Sequence, residues 1–271
     1  MRKSLEGALR AEIRRLMLGA YESHEESASS LKGDNSPVSA VDLASQELIS
    51  SAIRRISPRC VVLSEECFDW NVFNNRDSVR EMWIIDPLDG TRIFLSKKPE
   101  FGVMIARLVS GKPVNTWLYY PVDDFLIRIE EAGVFVNDQQ VRLNAGNTNE
   151  QRGVYNLCYM NIDDARLVLD RLQQIGGFTS DICSSWEYRR LCCGENEFYL
   201  NSYTTPWDTI AGVHMFRTLG GYVESVDGPD YEIGDVGKTL LYAPSRGRWE
   251  EFVSKYLVGV EGPAMSVVGK D

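Results

Sequence analysis

Trp83-Ile84-Ile85-Asp86-Pro87-Leu88-Asp89-Gly90-Thr91 carries an apolar run straight into two carboxylates and a tight turn. The apolar half reads as a buried strand. Pro87 biases the residue before it toward extended geometry, which predicts Asp86 at the strand's carboxyl end and Asp89 in the turn that follows. Two oxygen donors then converge from one short segment. Gly90 lacks a Cβ and lets the backbone approach an anion closely. Thr91 adds a hydroxyl where a helix or turn begins with unpaired N–H groups. A hard cation and a phosphate can share such a pocket. Asp-Pro and Asp-Gly are also ordinary turn dipeptides, so the reading depends on what else the chain carries.

Two other segments supply company. Val61-Val62-Leu63-Ser64-Glu65-Glu66 is a second β-branched run that stops at paired acids. Acids at neighbouring strand ends repel one another unless a cation neutralises them. Thr205-Pro206-Trp207-Asp208 precedes Thr209-Ile210-Ala211-Gly212-Val213-His214-Met215-Phe216. Thr205 reads as an N-cap and Pro206 as a first-turn proline, which puts Asp208 in the first turn of a helix. An acid there also complements the helix dipole whatever its other use.

Together these blocks, W-I-I-D-P-L-D-G-T-x-x-F with S-E-E upstream and P-W-D-x-x-A-G downstream, resemble the inositol monophosphatase family of metal-dependent phosphatases. Lys32 to Val41-Asp42 is similar to that family's N-terminal K…SPVT..D segment, and the order and rough spacing of all four blocks agree. The resemblance implies an α/β (α+β) chain folded as a layered αβαβα sandwich of the inositol monophosphatase and sugar phosphatase type. It implies metal ligands at Glu65, Asp86, Asp89 and Asp208, with the backbone carbonyl of Leu88 as a further ligand and two or three Mg²⁺ ions as the cofactor. Asp42 and Thr91, with Glu65, would then serve the attacking water, and the backbone of Gly90 and Thr91 would hold the phosphate. Lithium sensitivity is implied as well. The donor set suits the metal, because Mg²⁺ prefers carboxylate and carbonyl oxygens.

Departures from the family pattern bear on substrate. Ser64 and Ile210 stand where the family usually has small residues, and Arg92 stands where threonine or lysine is common. Tentative contacts to the organic part of the substrate are Arg92, Ser184, Ser185, Glu187 and Asn201. Asn201 stands where inositol phosphatases often carry an acid. Cys183-Ser184-Ser185-Trp186-Glu187-Tyr188 resembles the G-S-S-L-K-F block of bisphosphate nucleotidases, but Glu187 replaces the lysine expected for a second phosphate and is expected to repel it. Phe101 to Ala106 with Gly111-Lys112-Pro113 shows a faint similarity to the histidinol-phosphatase branch. A polyol or sugar monophosphate is the expected substrate, with a 3′(2′),5′-bisphosphate nucleotide or histidinol phosphate as alternatives. A silent binding protein on the same scaffold is disfavoured, because an unused cluster of buried carboxylates is an energetic liability. Haloacid-dehalogenase chemistry wants an aspartate where Pro87 stands, and no G-x-x-x-x-G-K-[ST] motif supports a P-loop kinase.

Composition agrees with a soluble enzyme, in which an anionic substrate must be met locally by metal. The 271 residues carry a net charge of −10, which disfavours a nucleic-acid polymer or an anionic membrane as partner. No run approaches membrane-spanning length and no cleavable leader is visible, so a cytoplasmic location is the default. A homodimer is compatible with the resemblance. Cys60, Cys67, Cys158, Cys183, Cys192 and Cys193 lack zinc-ligand spacing and are expected reduced, mostly in apolar surroundings. With only His24 and His214, a histidine-dependent triad is disfavoured.

Leu5, Leu9, Ile13, Leu16 and Ala20 recur at helical spacing, as do Leu43, Ala44, Leu48, Ile49 and Ile53, and both sets are expected to face a core. Strands are expected at Cys60 to Ser64, Met82 to Ile85, Val103 to Val109 and Val114 to Tyr120, forming a sheet with helices on one face. Phe68 to Arg80 reads as a surface loop that either covers the site or merely connects. The polar run from Asn144 to Arg152 marks a linker, which divides the chain into 1–143, with most metal ligands, and 144–271, with Asp208 and the substrate contacts. The second half alternates strands and helices, including helices at Ile162 to Ile175 and Ser184 to Cys193, and ends on a helix capped by Ser245.

Overall fold

The computed structural model describes residues 2–23, 29–31, 37–143, 152–226, 228 and 231–260. Lys32, His24 and the run from Asn144 to Gln151 lie outside the described residues. The chain forms two compact units, Met1–Gln140 and Val141–Asp271.

The first unit opens with α1 (Arg2–Ala8), a π-turn at Leu9–Ile13 and α2 (Arg14–Glu22). Leu5, Leu9, Ile13 and Met17 recur every fourth residue and are buried. A short ribbon of β1 (Ser29–Leu31) and β2 (Pro37–Ser39) leads into α3 (Ala40–Ile56). There β3 (Val61–Ser64), α4 (Trp70–Asn74), β4 (Glu81–Asp89), α5 (Thr91–Leu95), β5 (Gly102–Val109) and β6 (Lys112–Tyr120) follow. The unit closes with β7 (Phe125–Glu130), β8 (Gly133–Val136) and β9 (Gln139–Val141). The seven strands form one sheet in chain order, β3 to β9. Only β3 and β4 run parallel among the registered pairs, and β4 through β8 form an antiparallel meander. Trp83, Ile85, Val103, Ile105, Trp117 and Tyr119 point from the sheet into the core made with α1 to α3, and Trp83 stacks on Trp117 at 5.6 Å. The alternate residues Met82, Ile84, Met104 and Leu118 are buried too, so this sheet has no plain solvent face.

Three expectations need correction here. Leu43 does not face the core; it is 53% exposed. The buried stripe of α3 runs through Val41, Ser45, Ile49, Ala52 and Ile53, and at about 100° per residue Leu43 falls on the opposite side. Phe68 to Arg80 is not a plain loop, because α4 and a 3₁₀ turn at Arg76–Ser78 occupy it, with Phe73 buried. The cysteines are less uniformly apolar than expected: Cys183 and Cys192 are buried, but Cys67, Cys158 and Cys193 are exposed, and all six are thiols.

The second unit holds β10 (Gly153–Asn156), α6 (Ile162–Ile175), β11 (Phe178–Ser180), α7 (Ser184–Cys192) and β12 (Phe198–Asn201). After them come α8 (Pro206–Thr218), β13 (Tyr222–Ser225), β14 (Leu240–Ala243) and α9 (Arg246–Tyr256). Its sheet has the order β11-β10-β12-β14-β13, parallel across β11, β10 and β12 and antiparallel beyond. Asn161 caps α6 and Ser245 caps α9 by accepting backbone N–H bonds from Asp164 and Arg248. Helices α7 and α8 pack so closely that a Cβ on Gly212 would meet the Tyr188 ring at 2.1 Å.

Candidate active site

Strand β4 does not end at Asp86. It continues through Pro87, Leu88 and Asp89, with a register shift between Asp86, opposite Met104, and Asp89, opposite Gly102. Asp89 is therefore a strand residue past an irregularity, not a turn residue. Pro87 explains both outcomes, because it has no N–H to give a ladder and is tolerated where the ladder is interrupted. The irregularity brings a carboxylate oxygen of Asp86 and one of Asp89 within 4.8 Å of each other, and both residues are buried. Asp86 Oδ1 also accepts the Leu88 N–H at 3.0 Å.

The turn chemistry follows. Gly90 has φ +86°, a left-handed conformation that a side chain would strain, and it caps α5. Thr91, the first residue of α5, points its hydroxyl back at two acceptors: Asp42 Oδ1 at 2.9 Å and the Leu88 carbonyl at 3.1 Å. A hydroxyl has one hydrogen, so its donor capacity is committed and its lone pairs are left as acceptors. Asp42 is itself fixed in the first turn of α3. Its Oδ2 accepts from both the backbone N–H and the hydroxyl of Ser39, while the Ser39 hydroxyl accepts the Val41 N–H. This is a capping box. Sequence reasoning passed over Ser39, although S-x-x-D before an apolar stripe is the signal that would have found it.

Glu65 follows β3 and extends its pairing, since its N–H donates to the Ile85 carbonyl at 3.1 Å. That sets Glu65 beside Asp86 on the adjacent strand. Its side chain is half-buried. Arg92 is exposed.

In the second unit Asp208 lies in the first turn of α8, behind Pro206. Thr205 is the N-cap residue by conformation, but its side chain does not cap. Its hydroxyl donates to Asp208 Oδ2 at 2.6 Å, so it holds the carboxylate instead of a backbone N–H. Asn201 is buried at the end of β12 and accepts the Tyr203 N–H. Ser185 is buried near the start of α7, with its hydroxyl 3.6 Å from Cys183 Sγ, and Ser184 opens that helix. Glu187 is wholly enclosed, which corrects the expectation that it meets a second phosphate. Its carboxylate accepts from the Ile182 N–H and from Arg190, each at 3.2 Å. Burial makes it a weaker acid and pushes its pKa up to about 7, against the lowering influence of Arg190. His214 is pushed down to about 4 by burial and is neutral at pH 7.

Comparison with known proteins follows the same lines. A sequence model of the inositol monophosphatase family matches residues 4–259. The 3′(2′),5′-bisphosphate nucleotidase CysQ of Salmonella typhimurium is 32% identical over 215 residues, 79% of this chain and 82% of that protein. The inositol-1-monophosphatase of Mesorhizobium japonicum is 27% identical over 211 residues, 73% of this chain and 76% of its own length. Among solved structures, the extragenic suppressor protein suhB from Bartonella henselae superposes with a TM-score of 0.81 at 22% identity, covering 96% of this chain and 99% of that one.

Proposed function

The chain belongs to the inositol monophosphatase family, and from that premise we propose that it is a Mg²⁺-dependent phosphatase that hydrolyses a small phosphomonoester with a water held by Asp42 and Thr91. The observation that carries this reading is the pair of buried carboxylates at the irregular end of β4, with the Thr91 hydroxyl committed to Asp42 and Leu88 beside them. Two buried acids so close together favour a cation, and an all-oxygen donor set suits Mg²⁺. In this reading Glu65, Asp86, Asp89, Asp208 and the Leu88 carbonyl hold two or three ions; a carbonyl oxygen has a second lone pair to spare from Thr91. Mg²⁺ bound there supplies charge neutralisation at the phosphoryl oxygens and acidifies a water.

The remaining work falls to the protein. Thr91 Oγ1 accepts a hydrogen from the water and so fixes the direction of the oxygen lone pair that attacks phosphorus. Asp42 holds Thr91 in that role, and Ser39 holds Asp42. The N–H groups of Gly90 and Thr91 orient the phosphate so that attack runs in line with the departing oxygen. No protein nucleophile is required.

For the organic part, a nucleoside 3′(2′),5′-bisphosphate becomes the first reading. The electrostatic objection to it needed an exposed Glu187 carboxylate, and that group is enclosed. The relative at 32% identity named as a bisphosphate nucleotidase supports the same choice. A polyol or sugar monophosphate is the second reading, supported by the relative named as an inositol-1-monophosphatase. Phosphate release from adenosine 3′,5′-bisphosphate, inositol 1-phosphate, sugar phosphates and histidinol phosphate, measured under one Mg²⁺ condition and again in excess chelator, tests both levels. We expect release only with Mg²⁺, and the highest kcat/KM for the bisphosphate. Undiminished release in chelator sinks the metal mechanism, and a polyol phosphate ahead of the bisphosphate sinks the first substrate reading.

A further inference from the structure

Glu187 ties together three segments of the second unit. Its Oε1 accepts the Ile182 N–H from the connection between β11 and α7, and its Oε2 accepts from Arg190 one turn along α7. Arg190 in turn donates to the side-chain carbonyl oxygen of Asn196, on the way to β12. Ser184 and Ser185 fall inside the loop that the Ile182 bond closes. A carboxyl group in the first turns of a helix that reaches back to an N–H ahead of the cap fixes the entry angle of the chain. We propose that Glu187 is a positioning residue, which never touches substrate but sets the presentation of Ser184, the partly exposed serine of the pair, and changes its grip with its own protonation state. The functional half rests on the phosphatase reading above; the structural half does not.

The groups around the carboxyl explain why its protonation matters at neutral pH. Burial raises its pKa to about 7. Arg190 and the Ile182 N–H oppose that rise, and Asp181, whose carboxylate accepts from the Tyr199 hydroxyl of β12, adds to it. Glu195 competes for Arg190 from 3.8 Å. On the α8 side the helix offers Gly212 against the Tyr188 ring. When Glu187 is ionised, Arg190 is drawn to it and the strap is tight. When it is protonated, its carbonyl oxygen still accepts the Ile182 N–H, but Arg190 has its charged partner only in the exposed Glu195. The sign for folding follows from the raised value: the folded state favours the proton, so the stability this group contributes is full below about pH 4.5 and is lost as pH rises through about 7. The sign for substrate is opposite, because the tight strap belongs to the ionised form, so KM falls as pH rises.

The test uses the full chain labelled with ¹⁵N. The Ile182 amide shift of the wild type should titrate with a midpoint near pH 7, and in E187Q that midpoint should vanish, since glutamine accepts the same bond without titrating. In parallel, the ratio of wild-type KM to E187Q KM for adenosine 3′,5′-bisphosphate or inositol 1-phosphate, whichever is turned over, should fall about three- to tenfold from pH 6 to pH 8, the worth of one hydrogen bond. The ratio cancels the substrate's own phosphate titration near pH 6. A flat Ile182 shift, or the same midpoint in E187Q, overturns the proposal, and so does a constant KM ratio. If E187Q does not fold, ¹³C-carboxyl titration of wild-type Glu187 decides: a midpoint near 7 supports the proposal and one near 4.5 overturns it. Absence of all turnover overturns the phosphatase reading, and the Ile182 titration then judges the positioning role alone.

Discussion

Thr91 shows how much one side chain can be made to do by its neighbours. Its hydroxyl hydrogen is engaged by Asp42 and Leu88, so a water beside it meets only lone pairs and is oriented as a donor. That interaction grows stronger as the water becomes a nucleophile, so its loss should appear in kcat. Thr91→Ala is expected to lower kcat by about a hundredfold with KM changed little, whereas Thr91→Ser keeps most of the activity. Steady-state kinetics on the preferred substrate checks this, and a rise in KM alone would reassign Thr91 to substrate binding. At this scale the sequence was informative about residue identity and silent about linkage. Asp42 and Thr91 were singled out, but the resemblance carried their roles; S-x-x-D marked Ser39 as a cap, and only the fold shows its hydroxyl joining that cap to Thr91 through Asp42. Glu187 failed in the opposite direction: its charge was legible and its burial was not, because burial here depends on Arg190 and Ile182 meeting it in space.

The same contrast governs the elements. Two helices were legible nearly to the residue, α6 by its bounds and α9 by its Ser245 cap, whereas the Asn161 cap of α6 was not singled out. Strand β4 was legible up to Asp86, where proline chemistry suggested a stop; the antiparallel partner β5 carried the strand on past an irregularity. Strand β8 was missed because it is only four residues long, and β7 because its inward residues include Arg128. That guanidinium is buried by Glu6 and Asp138 at 3.3 and 3.0 Å, which blurs the apolar alternation. Two caps of equal chemistry and unequal duty allow a test. Ser39→Ala and Ser245→Ala should each cost about 1 kcal/mol in stability. Only Ser39→Ala should also lower kcat, since it alone removes a hydroxyl donor from the carboxylate that holds Thr91. Denaturant melts paired with kinetics decide it, and equal activity in the two variants would separate the capping box from catalysis.

For the whole molecule the site is a trade of stability for charge. Asp86 and Asp89 are held close and buried by the strand that carries the sheet's core residues Trp83 and Ile85. Without a cation the fold bears their repulsion; with one, the same pair becomes the reason the native state is favoured over the unfolded chain, which has no preformed site. Asp89→Asn removes one charge and keeps the shape. It is expected to raise the melting temperature in excess chelator by about 2–4 °C, the effect of roughly 1 kcal/mol in a chain of this size. The wild type should in turn gain stability on adding Mg²⁺, about 2.7 kcal/mol at a hundredfold excess over Kd, and the variant should gain little. Thermal melts of both proteins with Mg²⁺ and with chelator check all of these signs at once, and they do so without any substrate. A wild type indifferent to Mg²⁺, or a variant less stable than wild type in chelator, would mean that the two carboxylates are held by the protein's own donors and that β4 was not shaped around a metal.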